Sequence, residues 1–275
     1  MVFSGLVKDT VNRTGEYRLD ASGKGINVSR LLAGSGRNCR YLTHLGGVLR
    51  PLFLELCARD GLRVEWVESS SPLCFCYSLI NTAENSVTEL VEEAESVGEG
   101  TEKRLLEAFS ALVPECGTLI ISGPRAPGFS DTLIPEMVRQ ARAAGCRIIL
   151  DACEQDLLNS LPCGPLIIKS SLYDFVSTFA PELVSRDHIR GNEADIKEKI
   201  GKIWTELPKE YPCALVLRAG TGSVWYAEKG EPALYCFEPA EPHNAAGSED
   251  AFTAGLAAAL DEGASLGAAV ARGSA

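Results

Sequence analysis

Three short runs constrain this chain more than any other feature: "CRIILDA" (146–152), "PLIIKS" (165–170) and "ALVLRAG" (214–220). Each is apolar at nearly every position, not at every second one. A strand of that kind must be buried on both faces, which is the situation of a parallel sheet sandwiched between helices. The intervening stretches supply the helices. "SDTLIPEMVRQARAAG" (130–145) and "EADIKEKIGKIWTEL" (193–207) carry apolar residues at helical spacing. Alternation of strand and helix along a chain is the signature of an α/β fold.

The same period switching continues on either side. "GINVSRLLAGSG" predicts a helix closed by Gly34 and Gly36, and "CRYLTHLGG" a strand. "RPLFLELCARDGL" predicts a helix ended at Gly61, "TEKRLLEAFSALV" another helix, and "GTLIISG" another buried strand. Ser130 is expected as the N-cap and Gly145 as the stop of the 130–145 helix. "RVEWVE" and "LCFCYSLIN" are two successive strands, which breaks the rhythm and predicts a small antiparallel flap. "SVWYAEKGEPALYCFEP" predicts a hairpin turning at Lys229 and Gly230. With no internal repeat or long linker, residues 1–275 are expected to form one doubly wound domain, with lid strands within about 14–20 and 62–92.

Charge narrows the function. A net charge of −11 disfavours nucleic acid and anionic membranes as partners. No run is long and apolar enough for a membrane span, so the cytoplasm is the default location. Ten cysteines, dispersed apart from the close pair Cys74 and Cys76 and without a CxxC or Cys/His cluster, are expected to be reduced core residues.

In open α/β sheets ligands sit beyond the carboxyl ends of the strands. The loops to inspect are therefore "SGPRAPG", "DACEQ", "KSSLYD", "RAGTGS" and the segment "HNAAGSEDAFTAGLAAAL" (243–260). In the last of these, small residues lead into an acid pair and then an Ala/Leu-rich helix. Backbone N–H groups from Gly247 through Ser248 and Glu249 to Asp250 would form a phosphate cradle, and Asp250 would be a base beside it. Alternatively, Asp250 simply caps a helix.

A second stretch, "DASGKGINVSRLLAGSG" (20–36), places glycines around Lys24 and an Asn at a helix start. Together with the distant small-residue-Asp helix start, it resembles the ribokinase-like (PfkB) carbohydrate kinases. The similarity is to the branch of 1-phosphofructokinase and tagatose-6-phosphate kinase, which carries G-G-K-G-x-N-V-[AS]-R. "VNRTGEYRLD", "TELVEEAESV", "SGPRAPG" and "AGTGSVW" follow in the family's order. The resemblance implies a three-layer α/β/α doubly wound, mostly parallel sheet with a small β-sheet lid. It implies ATP and Mg²⁺ as cofactors, a phosphorylated ketohexose as substrate, and a possible homodimer through the lid.

Carried over by position, Gly23, Lys24 and Asn27 match the sugar-binding loop. Gly247 and Asp250 match the anion hole and catalytic base, Thr221 and Gly222 the nucleotide-side loop, and Lys169 joins these two as an ATP-binding residue. Lys169, Ser171 and Asp174 fall on a K-P-N-x-x-E motif whose last two side chains organise Mg²⁺, with Ser171 and Asp174 in an indirect metal role. Arg125 is the candidate for gripping the substrate phosphate, since the flap stretch "SSSPLCFC" offers no arginine.

The departures cluster at the chemistry. Glu249 stands at the anion-hole glycine, and Ser22 at the first of the paired glycines. The sequence as read begins after the family's first strand and its N-P-x-x-D segment, and ends at "ARGSA". A carboxylate about 5 Å from one phosphate charge is repelled by roughly 3 kcal/mol at an effective dielectric near 20. That is close to a hundredfold in affinity, most of which a side chain turned outward or a bridging Mg²⁺ would remove. Three readings follow: an ATP-dependent kinase of a phosphorylated ketohexose, a catalytically weak relative that binds a sugar phosphate or a protein partner, or a kinase of another alcohol such as a nucleoside. The glycine–lysine loop counts against the third.

Overall fold

The computed structural model describes residues 1–165, 167–185, 188–189, 193–220, 222–228, 232–238 and 247–275. In chain order the elements are β1 (Val2–Phe3), α1 (Lys24–Gly34), β2 (Arg40–Leu45), α2 (Arg50–Arg59), β3 (Arg63–Glu68), β4 (Cys76–Asn81), β5 (Ser86–Val91), α3 (Thr101–Leu112) and β6 (Thr118–Ser122). They continue with α4 (Leu133–Ala143), β7 (Arg147–Asp151), α5 (Glu154–Ser160), β8 (Ile167–Ser171), α6 (Leu172–Phe179), β9 (Val184–Ser185) and β10 (His188–Ile189). The last are α7 (Glu193–Glu210), β11 (Ala214–Arg218), β12 (Ser223–Ala227), β13 (Ala233–Cys236), α8 (Ser248–Asp261) and α9 (Leu266–Ser274).

The main sheet runs β13-β12-β11-β8-β7-β6. Strands β6, β7, β8 and β11 are parallel, and β12 and β13 turn back antiparallel at one edge. This explains the continuous apolar runs. Ile148, Leu150, Ile168, Leu215 and Leu217 face a core closed by Val138, Leu157, Phe175 and Trp204. Ile149, Ile167 and Val216 face the opposite core, closed by Phe252, Leu256 and Val270 of α8 and α9. Burying each such side chain stabilises the fold by about 1.5–3 kcal/mol. The mostly parallel, helix-covered sheet expected from the sequence is present.

Several local expectations are corrected. β3 does not join the flap; it pairs in parallel with β2 along its whole length. The flap is instead β4 and β5, antiparallel, with β1 alongside β4. Of the expected 14–20 lid strand, Glu16 alone bridges, to Val2. The β2–β3 pair is separate from β6, and a cleft lined by Tyr41, Leu42, Ile120 and Ile121 lies between them. Ser130 does not cap α4. Its hydroxyl and N–H both bond the Glu102 carboxylate at 2.6 Å, and Thr132 takes the cap position. β12 and β13 pair as the expected hairpin, whose turn at Lys229 and Gly230 lies outside the described residues.

All ten cysteines are free, but only Cys57, Cys146 and Cys213 are buried, while Cys76 and Cys236 are exposed. Burial pushes the Cys213 thiol up to about 11, which makes it a poor nucleophile. Among the described residues no helix is long and apolar enough to cross a membrane.

Candidate active site

Two helix starts meet beyond the strand ends. α1 opens at Gly23, whose φ of +131° and ψ of 151° belong to backbone that essentially only glycine adopts. α8 opens at Gly247, left-handed with φ +89°. These two turns carry Lys24 and Asn27 on one side, and Glu249 and Asp250 on the other.

Asn27 Nδ2 donates to Asp250 Oδ2 at 2.9 Å, joining residues 223 positions apart. The amide is oriented from behind. Arg30 Nη1 donates to Asn27 Oδ1 at 3.0 Å, and an arginine can only donate, so the NH2 end must face the carboxylate. Arg30 is itself held by Asp60 at 2.9 Å and by the Ala21 carbonyl. Asp250 is buried, at 5% exposure, inside the first turn of α8. That burial pushes its carboxyl above the usual range; the Asn27 hydrogen bond and the Lys24 charge oppose the push, Asp151 adds to it, and Lys169 opposes it. A carboxyl held above its usual range takes a proton more readily than an ordinary aspartate.

Lys24 is exposed, and its stem lies over Gly123 at the end of β6. Its charge also acts on Cys153, whose thiol burial and then Asp174 push up to about 11. Lys24 therefore sits between Asp250 and the start of α5, facing the strand-end loops.

The other side of α8 is ionic. Lys169, 1% exposed, has its Nζ 3.2 Å from Asp151 Oδ2 and 2.7 Å from Glu249 Oε2. Burial disfavours the ammonium most strongly, yet Asp151 and Glu249 together hold its pKa above the ordinary lysine value. Arg218 Nη1 lies 3.3 Å from Glu249 Oε1 and 3.3 Å from Ser248 Oγ. Ser122 Oγ donates to Asp151 Oδ2 at 3.0 Å. The bare repulsion expected at Glu249 is therefore corrected, because two cations neutralise that carboxylate. Lys169 is likewise not a cation facing an open cleft; two carboxylates enclose it.

The remaining candidates divide. Ser171 caps α6, accepting from the Asp174 N–H at 3.1 Å and donating to Asp174 Oδ2 at 2.7 Å. Among the described residues no group of three or more His, Cys, Asp or Glu side chains could hold a metal ion. Asp174 offers a hard oxygen at the strand-end side of α6, which suits a Mg²⁺ that keeps its waters and arrives on phosphates. Gly222 lies in the turn between β11 and β12, its carbonyl accepting from the Phe237 N–H at 3.0 Å. Thr221 lies outside the described residues. Arg125 is committed elsewhere, to Asp156 at 2.9 Å and to the Phe129 carbonyl.

Sequence reasoning missed Asp151 and Arg218. Both end buried strands, in "DACEQ" and "RAGTGS", so the strand-end rule had already marked their loops.

The family model described as pfkB family carbohydrate kinase matches residues 1–275. A tagatose-6-phosphate kinase of Staphylococcus epidermidis is 25% identical over 166 residues, covering 60% of this chain and 53% of that protein. The chain thus spans about half the length of the curated relatives it matches. Among solved structures, the tetrameric inhibited form of phosphofructokinase-2 from Escherichia coli superposes with a TM-score of 0.81 at 20% identity, over 99% of this chain and 86% of that one. A Thermotoga maritima protein described as a possible 1-phosphofructokinase gives 0.79 at 18% identity, over 99% and 85%. These structures share the ribokinase-like fold. With the family model matched from end to end and two helix starts converging on one buried aspartate, the chain belongs to the pfkB family of carbohydrate kinases.

Proposed function

We propose that the protein transfers the terminal phosphoryl group of ATP to a hydroxyl of a phosphorylated ketohexose, of the fructose 1-phosphate or tagatose 6-phosphate type. The observation that carries this reading is the Asn27–Asp250 hydrogen bond, which holds the α1 and α8 starts against each other. Asp250 takes the proton of the attacking hydroxyl. Gly23, Lys24 and Asn27 hold the sugar, with the Lys24 ammonium directed at its phosphate. The N–H groups of Gly247, Ser248, Glu249 and Asp250 receive the transferred group, whose negative charge is favoured at a helix start.

Gly222 and Thr221 border the nucleotide in this reading. Mg²⁺, when bound, neutralises charge on the nucleotide phosphates, and Asp174 is the residue that would hold it, through water. An assay coupling ADP release to Mg²⁺·ATP and either sugar phosphate tests the proposal. Sugar-dependent ADP release is expected. Binding of both ligands without turnover would instead select the weak or inactive relative, a reading favoured by the grip of Glu249 on Lys169 and Arg218.

The lid supports an association. β5 is exposed throughout, with Leu90 at 53% and Val91 at 60%. Exposed strands invite pairing, so we infer a homodimer through the lid, read by sedimentation; a monomer at micromolar concentration would remove it.

A further inference from the structure

The carboxylate of Glu249 stands at the α8 start, where the proposed function puts a phosphate. It lies in the first turn of α8, where N–H groups and the helix dipole favour negative charge. It spans two cations, Lys169 Nζ at 2.7 Å and Arg218 Nη1 at 3.3 Å. Its side chain is 35% exposed, against 1% for Lys169 and 4% for Asp151. Glu249 is therefore the outermost member of a row running Asp151–Lys169–Glu249. The row and Arg218 hold two cations and two carboxylates and are balanced as they stand. A phosphate entering beside them adds uncompensated negative charge, whereas a phosphate replacing Glu249 keeps both cations paired. Carboxylate and phosphate oxygens make the same charge-assisted hydrogen bonds to arginine and lysine. The inner half of the row is unaffected by such an exchange, because Asp151 stays on Lys169.

We propose that Glu249 is an exchangeable internal anion. It holds Arg218 and Lys169 while the cleft is free of nucleotide, and a terminal phosphate of the nucleotide displaces it from them. Arg218 thereby becomes a phosphate-binding residue of the cleft, and Glu249 a residue that sets its selectivity. A polyphosphate end, carrying more than one charge, competes with a carboxylate better than a singly charged anion does. The inference rests on reading this cleft as a nucleotide site, so its test reads binding and not turnover.

Calorimetric titration of ATP, with Mg²⁺ and without sugar, is compared for the native chain, Glu249→Gln, Arg218→Gln and the double variant. Glu249→Gln keeps the side chain's shape and removes its charge; about tenfold tighter binding is expected, equivalent to 1.4 kcal/mol. Arg218→Gln is expected to weaken binding, and the gain from Glu249→Gln should shrink in its background. Equal or weaker binding by Glu249→Gln overturns the proposal. So does the same gain with and without Arg218, since that would be a diffuse charge effect. Absence of binding in every variant also overturns it. Should Glu249→Gln not fold, Glu249→Asp keeps the charge on an arm too short to span both cations; it should bind ATP more tightly, and no gain overturns the exchange. An inactive protein with the expected binding pattern would sink the kinase reading alone, and an active one with unchanged binding would sink this inference alone.

Discussion

Glu249 and Asp250 are neighbours in one helical turn, yet they live in opposite surroundings. Asp250 is buried and faces a neutral amide, with Lys24 near enough to act only through its field. Glu249 is partly exposed and gripped by Lys169 and Arg218. The first carboxylate accepts a neutral hydrogen bond on Oδ2, and the second is held in ion pairs through both oxygens. The difference shows that a residue's chemistry follows from its partners across the fold, not from its place in a motif.

The strongest test of that contrast is Asp250→Asn. If Asp250 is the base, turnover should fall by about 10²–10⁴-fold, and retained turnover would make the two carboxylates equivalent. The native acid limb of kcat/KM should also lie above the ordinary aspartate range, because burial raises this carboxyl. The same shift has a stability sign. Between the unfolded and the raised folded pKa the native state holds the extra proton, so stability falls as pH rises through that window. Asp250→Asn should abolish that fall in denaturant titrations at several pH values.

Next in size is Lys169→Met, which probes the ionic side. It leaves Asp151 buried beside Ser122 without its cation, and removing one partner of a buried pair costs about 3–5 kcal/mol. Urea unfolding should register this. In the native chain the pairing contributes below the ordinary lysine pKa and is lost as pH climbs through the raised one. A loss under 1 kcal/mol would mean that the row is not a structural unit.

Lys24→Ala should raise KM for the phosphosugar about tenfold, the scale of one charged hydrogen bond, and should raise it less for the unphosphorylated sugar. Equal effects would return Lys24 to a structural role. The smallest change is expected at Arg125→Ala. Its guanidinium is already bound to Asp156 and the Phe129 carbonyl, so KM should stay within about twofold. A large rise in KM would show that Arg125 leaves Asp156 to reach the substrate.

Much of the layering was legible because it is local. Residues 146–152, 165–170 and 214–220 announce buried parallel strands by composition alone, and helical spacing marks their covers. "RVEWVE" misled because alternation identifies a strand without naming its neighbour; β3 follows a helix and returns beside β2, as a parallel pair requires. Ser130 misled for a similar reason: Glu102, in another helix, competes for its hydroxyl. Asn27, Arg30 and Asp250 all stand at motif positions, but that Arg30 orients the Asn27 amide toward Asp250 is decided by the fold.

By itself the sequence determined the helix-covered sheet and the two glycine-led helix starts, because periodicity and backbone freedom act within a few residues. The tertiary structure alone decided that Glu249 meets Lys169 and Arg218 and that Asp151 lies behind them. Those four side chains come from three parallel strands and one helix, and only the order of strands in the sheet sets their distances. Coulomb interactions fall off over a few ångströms and are indifferent to separation along the chain.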